Sequence, residues 1–359
     1  MLVKRWTLLT VILAVLLGGC GTPTPTGTPE ASPRELRVMT YDSFVISEEV
    51  VARFEEEHNV TVQFLQAGDT GTMLSQAILT QDDPQSDVIY GVDNTFLSRA
   101  LEAGIFAPYE AENLDQIPDR LKLDPEQRVS PVDYGDVCLN YDRAYFEEQG
   151  LAVPEDLRAL TRPEYRGLLV VENPASSSPG LAFLITTIGV FGEEGEYTYL
   201  DYWAELRQND VLVVDGWDTA YYNEFSGGAS SGGTRPLVVS YATSPAAEVY
   251  FAEEELEEPP TGAITAPNTC FRQVEFVGVQ QGAENPELAQ AFVDFVLGET
   301  FQSDIPLNMW VFPANPDAEL PEVFTQYAQV AEEPVEVPYA AIEENREAWI
   351  EAWSETVLR

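Results

Sequence analysis

Leu237-Val238-Val239-Ser240-Tyr241-Ala242-Thr243-Ser244-Pro245-Ala246 runs a short apolar segment into a tyrosine and a Thr-Ser pair, and a proline follows at once. The run predicts a buried strand, and Pro245 suits the first turn of a helix. Open α/β sheets hold their ligands where strand ends meet helix N-termini. The stretch therefore predicts both an architecture and a place in it for a ligand.

The same rhythm recurs upstream. Leu36, Val38 and Thr40 alternate with Arg37, Met39 and Tyr41 as a first strand. Ser47 precedes a helix with Val50, Val51 and Phe54 on one face, and Val60, Val62 and Phe64 alternate as a second strand. Gly68 to Thr72 opens another helix, and Asp87 to Tyr90 is a third strand ending in Gly91-Val92-Asp93-Asn94. This β-α-β-α-β order implies a parallel sheet with helices on both faces. Pro131 to Tyr141 breaks the rhythm, and a second set of units follows. These are strands at 168–171, 211–214 and 237–241, with helices at 181–190, 199–207 and 217–225. Gln273–Val279 is a further strand. Amphipathic helices over 286–297 and 342–358 carry Leu288, Phe292, Trp349 and Trp353 inward. Gly227–Gly233 reads as a flexible insert, and Glu253–Glu258 as a solvated acid run.

With 359 residues the chain has length for two lobes. Its 61 acids against 18 bases leave a formal charge of −43, which argues against nucleic-acid binding, since phosphates require basic surface. A single histidine, His58, at the polar end of a helix, argues against Ser-His-Asp catalysis and His-rich metal sites. Lys4 and Arg5 precede an apolar run from Trp6 to Leu17, then Gly18-Gly19-Cys20. That is the pattern of a secretory signal over residues 1–19, too short for a stable membrane span. Cysteine directly after Leu-Gly-Gly resembles a bacterial lipobox, which implies lipidation of Cys20. Residues 20–33, rich in Thr, Pro and Gly, read as a tether. Two more cysteines, Cys138 and Cys270, remain for an exported compartment that permits disulfides.

Polar groups gather where strands end. Tyr41-Asp42-Ser43 follows the first strand, Asp69-Thr70 and Ser177-Ser178 each precede a helix, and Tyr241 to Ser244 form the opening stretch. Trp217 and Trp310 sit in turns. Aromatic faces beside a carboxylate suit a flat cationic ligand, with cation–π attraction contributing about 0.5–2 kcal/mol.

Several segments occur in order: Thr40-Tyr41-Asp42-Ser43-Phe44, Gly91-Val92-Asp93-Asn94, Asp133-Tyr134-Gly135, Ser178-Pro179-Gly180-Leu181 and Gly216-Trp217. Ser240 to Pro245, Ile305-Pro306 with Trp310, and Arg346 to Trp353 complete the set. As a set they resemble the thiamine-binding component of bacterial ABC importers, over residues 35–359. The resemblance implies a type II periplasmic-binding-protein fold of two doubly wound α/β lobes. One lobe would comprise 34–132 and 280–308, the other 133–279 and 309–359, joined by crossing strands at 131–141 and 273–279. It implies a thiamine-class ligand, possibly phosphorylated, in the cleft and no cofactor. Its contacts would be Tyr41, Asp69, Thr70, Ser177, Ser178, Trp217, Tyr241, Ala242, Thr243, Ser244 and Trp310. It further implies a Cys138–Cys270 disulfide, a membrane permease as partner, a monomer, and a site outside the cytoplasmic membrane with lipid on Cys20. Ala247 stands where the resemblance leads one to expect a tyrosine, and Tyr250 lies nearly one helical turn on.

Three other readings compete. A ferric-ion binder of the same fold would use Tyr221-Tyr222. A thiaminase-like enzyme would use Cys138 as nucleophile. An extracellular adhesin would have no closed small-ligand cleft.

Overall fold

The computed structural model describes residues 34–228 and 231–359. The signal segment, Cys20 and the tether lie outside the described residues, as do Ala229 and Ser230 of the Gly-rich insert.

Strands β1 (Arg34–Thr40), β2 (Val60–Gln66) and β3 (Val88–Asp93) pair in parallel, with helices α1 (Glu48–His58) and α2 (Thr70–Leu79) as the crossovers. Helix α1 buries Val50 and Phe54, one turn apart, and carries Glu48 and Glu49 in its first turn, where the helix dipole favours acids. It stops at Asn59 in the left-handed region. Helix α3 (Leu97–Ala103) follows β3.

The long β4 (Ser130–Asp142) and α4 (Arg143–Gln149) lead into the second half, where β5 (Leu169–Glu172), β6 (Leu212–Val214) and β7 (Leu237–Tyr241) are again parallel. Helices α5 (Ser178–Phe191), α6 (Tyr199–Gln208) and α7 (Ser244–Tyr250) pack around them. Residues Ser178 to Ile188 of α5 are all buried, as its near-continuous apolar sequence demands. The C-terminal helix Tyr339–Val357 drives Trp353 edge-on into Trp203 of α6, ring centres 5.5 Å apart.

Strands β8 (Thr261–Ile264), β9 (Phe271–Val279) and β10 (Phe312–Pro313) complete one sheet, ordered β2-β1-β3-β9-β4-β7-β5-β6, with β8 and β10 on β4. The two parallel halves are thus joined through β9 and β4, which run antiparallel to their neighbours. This is the type II fold, two α/β lobes on crossing strands. Helix α8 (Pro286–Leu297) packs on the first half through Phe292, whose ring meets Phe54 at 5.1 Å. Both crossing ladders carry an irregularity. The register shifts at Tyr90/Val92 against β9, and at Pro131/Asp133 where β4 meets β9. Such bulges re-aim the side chains beside them.

The structure departs from the sequence reading in two places. The helix expected over 217–225 starts at Trp217 but widens after Asp218 into a π-helical turn, Thr219–Glu224, closed by Phe225 N–H donating to Ala220 O at 2.9 Å. Trp217 opens this helix, and its N–H, which has no intrahelical acceptor there, donates to Asp69. Strand β8 follows Pro259-Pro260 and is too short to show alternation in sequence. Glu253–Glu258 is exposed throughout apart from Leu256, as a solvated loop requires.

Candidate ligand-binding site

A cavity of about 630 Å³ opens between the two halves at the ends of their strands. Tyr41, Asp69 and Thr70 reach it from the first half, Ser178, Trp217, Tyr241 and Ser244 from the second, and Trp310 from the return segment. Eight of the eleven expected contacts are therefore together. The other three are not on the wall. Ser177 is wholly buried behind Ser178. Ala242 packs in a small cluster with Cys138, Cys270 and Ala331. Thr243 turns its hydroxyl to the carbonyl of Trp310, so it anchors that residue instead of facing the cavity. A strand alternates its faces, and the turn after β7 buries the residues that follow Tyr241.

Asp69 joins the halves. As the N-cap of α2 its Oδ1 accepts Thr70 N–H at 2.7 Å, and the same oxygen accepts Ser178 N–H of α5 at 3.3 Å. Its Oδ2 accepts Trp217 N–H at 3.1 Å. Alongside, Gly71 N–H donates to Ser176 O at 2.9 Å. A Cβ at Gly71 would lie 2.8 Å from the carbonyl oxygens of Ala175 and Ser176, so the approach needs glycine. Burial raises the Asp69 carboxyl to about 6, against the lowering effect of the nearby Ser177 hydroxyl and of the Trp217 and Thr70 amides.

The aromatic wall is braced from behind. Trp217 stacks on Tyr221, centres 5.0 Å apart and planes within 19°. Its indole N–H donates to Ser240 Oγ at 3.0 Å, which lies 3.0 Å from Ser244 Oγ. Trp310 holds a positive φ of 57°, costly for a bulky residue. It sits against Tyr250 and Phe251 at 5.3 and 5.5 Å. Both of those residues line the cavity beside Ala247, so Tyr250 supplies an aromatic ring where Ala247 cannot.

Sequence reasoning missed the floor. Glu275 of β9 lines the cavity, accepting the Tyr41 hydroxyl at 3.1 Å on Oε2 and Gln273 Nε2 at 3.1 Å on Oε1. Gly91, with φ of 96°, sits at the β3 irregularity, and a Cβ there would come 2.4 Å from the Tyr41 ring. Only glycine lets that phenol reach Glu275. The signal in the sequence was Gln273 and Glu275, two polar residues on one face of a strand that is otherwise apolar after Arg272. Among the described residues that line the cavity, none is Lys, Arg or His.

Two competing chemistries find little here. Cys138 and Cys270 sit at bonding distance, S–S 2.08 Å across 132 residues, both fully buried and off the cavity wall. Tyr221 donates its hydroxyl to Glu248 at 2.8 Å, and burial, then the Glu248 charge, push that phenol well above its ordinary range. Such a phenol yields a tyrosinate reluctantly, and its ring stands at 83° to that of Tyr222.

The chain and its fold resemble those of known solute-binding proteins. The chain is similar to a thiamine-binding periplasmic protein of Brucella suis biovar 1, 28% identical over 333 residues, 90% of this chain and 93% of the relative. It is similar in structure to a periplasmic thiamin binding protein, TM-score 0.76 at 26% identity, covering 94% of this chain and all of the other. Iron-bound HitA from Pseudomonas aeruginosa shares the fold, TM-score 0.70 at 18% identity, covering 90% and 99%. The family model for bacterial extracellular solute-binding proteins matches residues 83–331, and the chain belongs to that family.

Proposed function

We propose that this chain captures thiamine between its two lobes, 34–132 with 280–308 and 133–279 with 309–359, and delivers it to an ABC importer in the membrane. The observation that carries this reading is a cleft walled by Trp217, Tyr41, Tyr241 and Trp310, floored by Glu275, and without a cationic side chain among the described lining residues. Thiamine brings a permanently cationic thiazolium and a flat aminopyrimidine, which suit acidic groups and aromatic faces. Unesterified thiamine fits better than its phosphates. The N-terminus of α5, where a phosphate would settle, already gives Ser178 N–H to the Asp69 carboxyl. We further propose export to the periplasmic side, lipid on Cys20 keeping the protein at the membrane, a disulfide between Cys138 and Cys270, and a monomer.

Calorimetry with thiamine, its mono- and diphosphate, and ferric citrate tests the ligand. Thiamine should bind with one site per chain and more tightly than either phosphate. Absence of heat with thiamine, or a tyrosinate charge-transfer band with ferric citrate, would overturn the reading. Fractionation of cells expressing the full chain tests the anchor: Cys20→Ala should move the protein from membrane to soluble fraction.

A further inference from the structure

Three acidic side chains form a row across the middle of the sheet. Glu275 of β9 is the direct cross-strand partner of Asp93 on β3 and of Asp133 on β4. Directly opposed residues of paired strands share a face, so the three carboxyls crowd together. Asp93 and Asp133 are wholly buried, and Glu275 is 6% exposed. Two of them have donors to spare. Asp93 receives Thr95 N–H at 2.7 Å and the Ser178 hydroxyl. Glu275 receives Tyr41 and Gln273. Asp133 differs: Tyr90 donates to its Oδ2 at 2.9 Å, but its buried Oδ1 receives nothing. The carboxyl placed to share a proton with it is that of Glu275.

The groups facing Glu275 from the surrounding elements are Asp93 and Tyr90 on β3, Asp133 on β4, Tyr41 after β1 and Tyr241 on β7. All are acids, and none brings a positive charge. Three carboxylates so placed cannot all be ionised, because burial and like-charge repulsion both favour the neutral form. Burial first, then Asp133 and Asp93, holds Glu275 well above the ordinary carboxyl range, and burial brings Asp133 to about 7. The row thus stores a proton at the floor of a cleft.

We propose that Glu275 is the residue that reads the ligand's positive charge, and that capture of the cation expels the proton Glu275 shares with Asp133. The proton leaves to solvent and a carboxylate remains beside the bound cation, so charge balances. A neutral ligand of the same shape gains no such partner, which makes the pair a selector for cations. This rests on the reading of thiamine as ligand. Linkage fixes the sign: a process that releases protons is favoured as pH rises, so affinity increases with pH until the free pair has itself lost the proton.

The test is titration calorimetry of the whole protein with thiamine at pH 7.5, in two buffers of different ionisation enthalpy. Asp69, at about 6, is then largely ionised before ligand is added. The wild-type chain should release a measurable fraction of a proton, up to one, per thiamine bound. Glu275→Gln keeps the size and neutrality of the protonated side chain but can accept only one of the Tyr41 and Gln273 hydrogen bonds; it should bind about tenfold more weakly and release no proton. Asp133→Asn removes one like charge, so its rise in affinity should come at lower pH than in the wild type. Thiamine binding without proton release, or equal release from Glu275→Gln, overturns the inference and leaves the ligand reading standing. No binding of thiamine at all overturns the ligand reading and this inference with it.

Discussion

Asp69→Asn changes a single atom type at the point where the two halves meet. The carboxylate accepts Thr70 and Ser178 N–H groups on one oxygen and Trp217 N–H on the other. Asparagine can keep the first oxygen, but its NH₂ then faces the Trp217 N–H, donor against donor. The Trp217 amide loses its acceptor and the contact between halves loosens at that edge. A hydrogen bond to a charged acceptor contributes about 1.5–3 kcal/mol. If the closed arrangement is the one that holds ligand, thiamine affinity should fall by roughly 10- to 150-fold. The N-cap of α2 survives, since asparagine caps about as well as aspartate, so thermal unfolding should move little. Calorimetry at pH 8 is the assay, because the Asp69 carboxyl, at about 6, is ionised there. A variant that binds thiamine as tightly as the wild type would show that Asp69 neither latches the halves nor meets the ligand.

Other perturbations have equally definite outcomes. Trp217→Ala removes the stacked face and the bond to Ser240, and should weaken thiamine binding at least tenfold, about 1.4 kcal/mol, with the fold retained by circular dichroism. Replacing both Cys138 and Cys270 by alanine frees a chain loop of 132 residues and should cost about 2–5 kcal/mol in guanidinium unfolding, while thiamine binding persists. For ligand-free protein, Asp133 binds its proton more tightly folded than unfolded. The stability this gives is complete below the ordinary carboxyl range and lost as pH rises through about 7. Melting temperatures between pH 4.5 and 8 should therefore fall less steeply in Asp133→Asn than in the wild type, and parallel slopes would contradict the buried-proton account.

Much of the architecture was legible because it rests on period and order. The β-α-β alternation from Arg34 to Asp93 survives in sequence as clean switches between alternating and helical spacing. So do the strand ends at Tyr41, Asp69, Ser178 and Tyr241, since N-cap chemistry puts polar residues there whether or not a ligand comes. That ambiguity explains the errors as well. Thr243 and Ala242 belong to the same polar stretch as Tyr241 and Ser244, yet one anchors Trp310 and the other packs beside a cysteine pair. Nothing local distinguishes a hydroxyl that braces a wall from one that forms it. Glu275 and Asp133 were legible as single residues, on a polar strand face and in an ordered segment, but not as a pair of carboxyls. Their meaning lies in a cross-strand register between positions 142 residues apart, and a bulge beside Asp133 helps set it.

The place of those carboxyls bears on how the lobes would work. The strands that join the two halves, β4 and β9, are the same strands that carry Asp133 and Glu275. Tyr41 reaches Glu275 from the first half, and Tyr241 reaches Gln273 from the second at 3.4 Å. The buried pair is therefore wired to both walls of the cleft through phenols. If closure bends β4 against β9, it alters the separation of Asp133 from Glu275 and with it the strength of the proton they share. A cation that pulls the proton away would relieve the repulsion in the row at the moment the walls meet it. Charge recognition and closure would then be one event. The surface excess of acid that gives the chain its charge of −43 can gather cations, and the aromatic walls favour them, but on this proposal it is the buried row that answers a captured cation by giving up a proton.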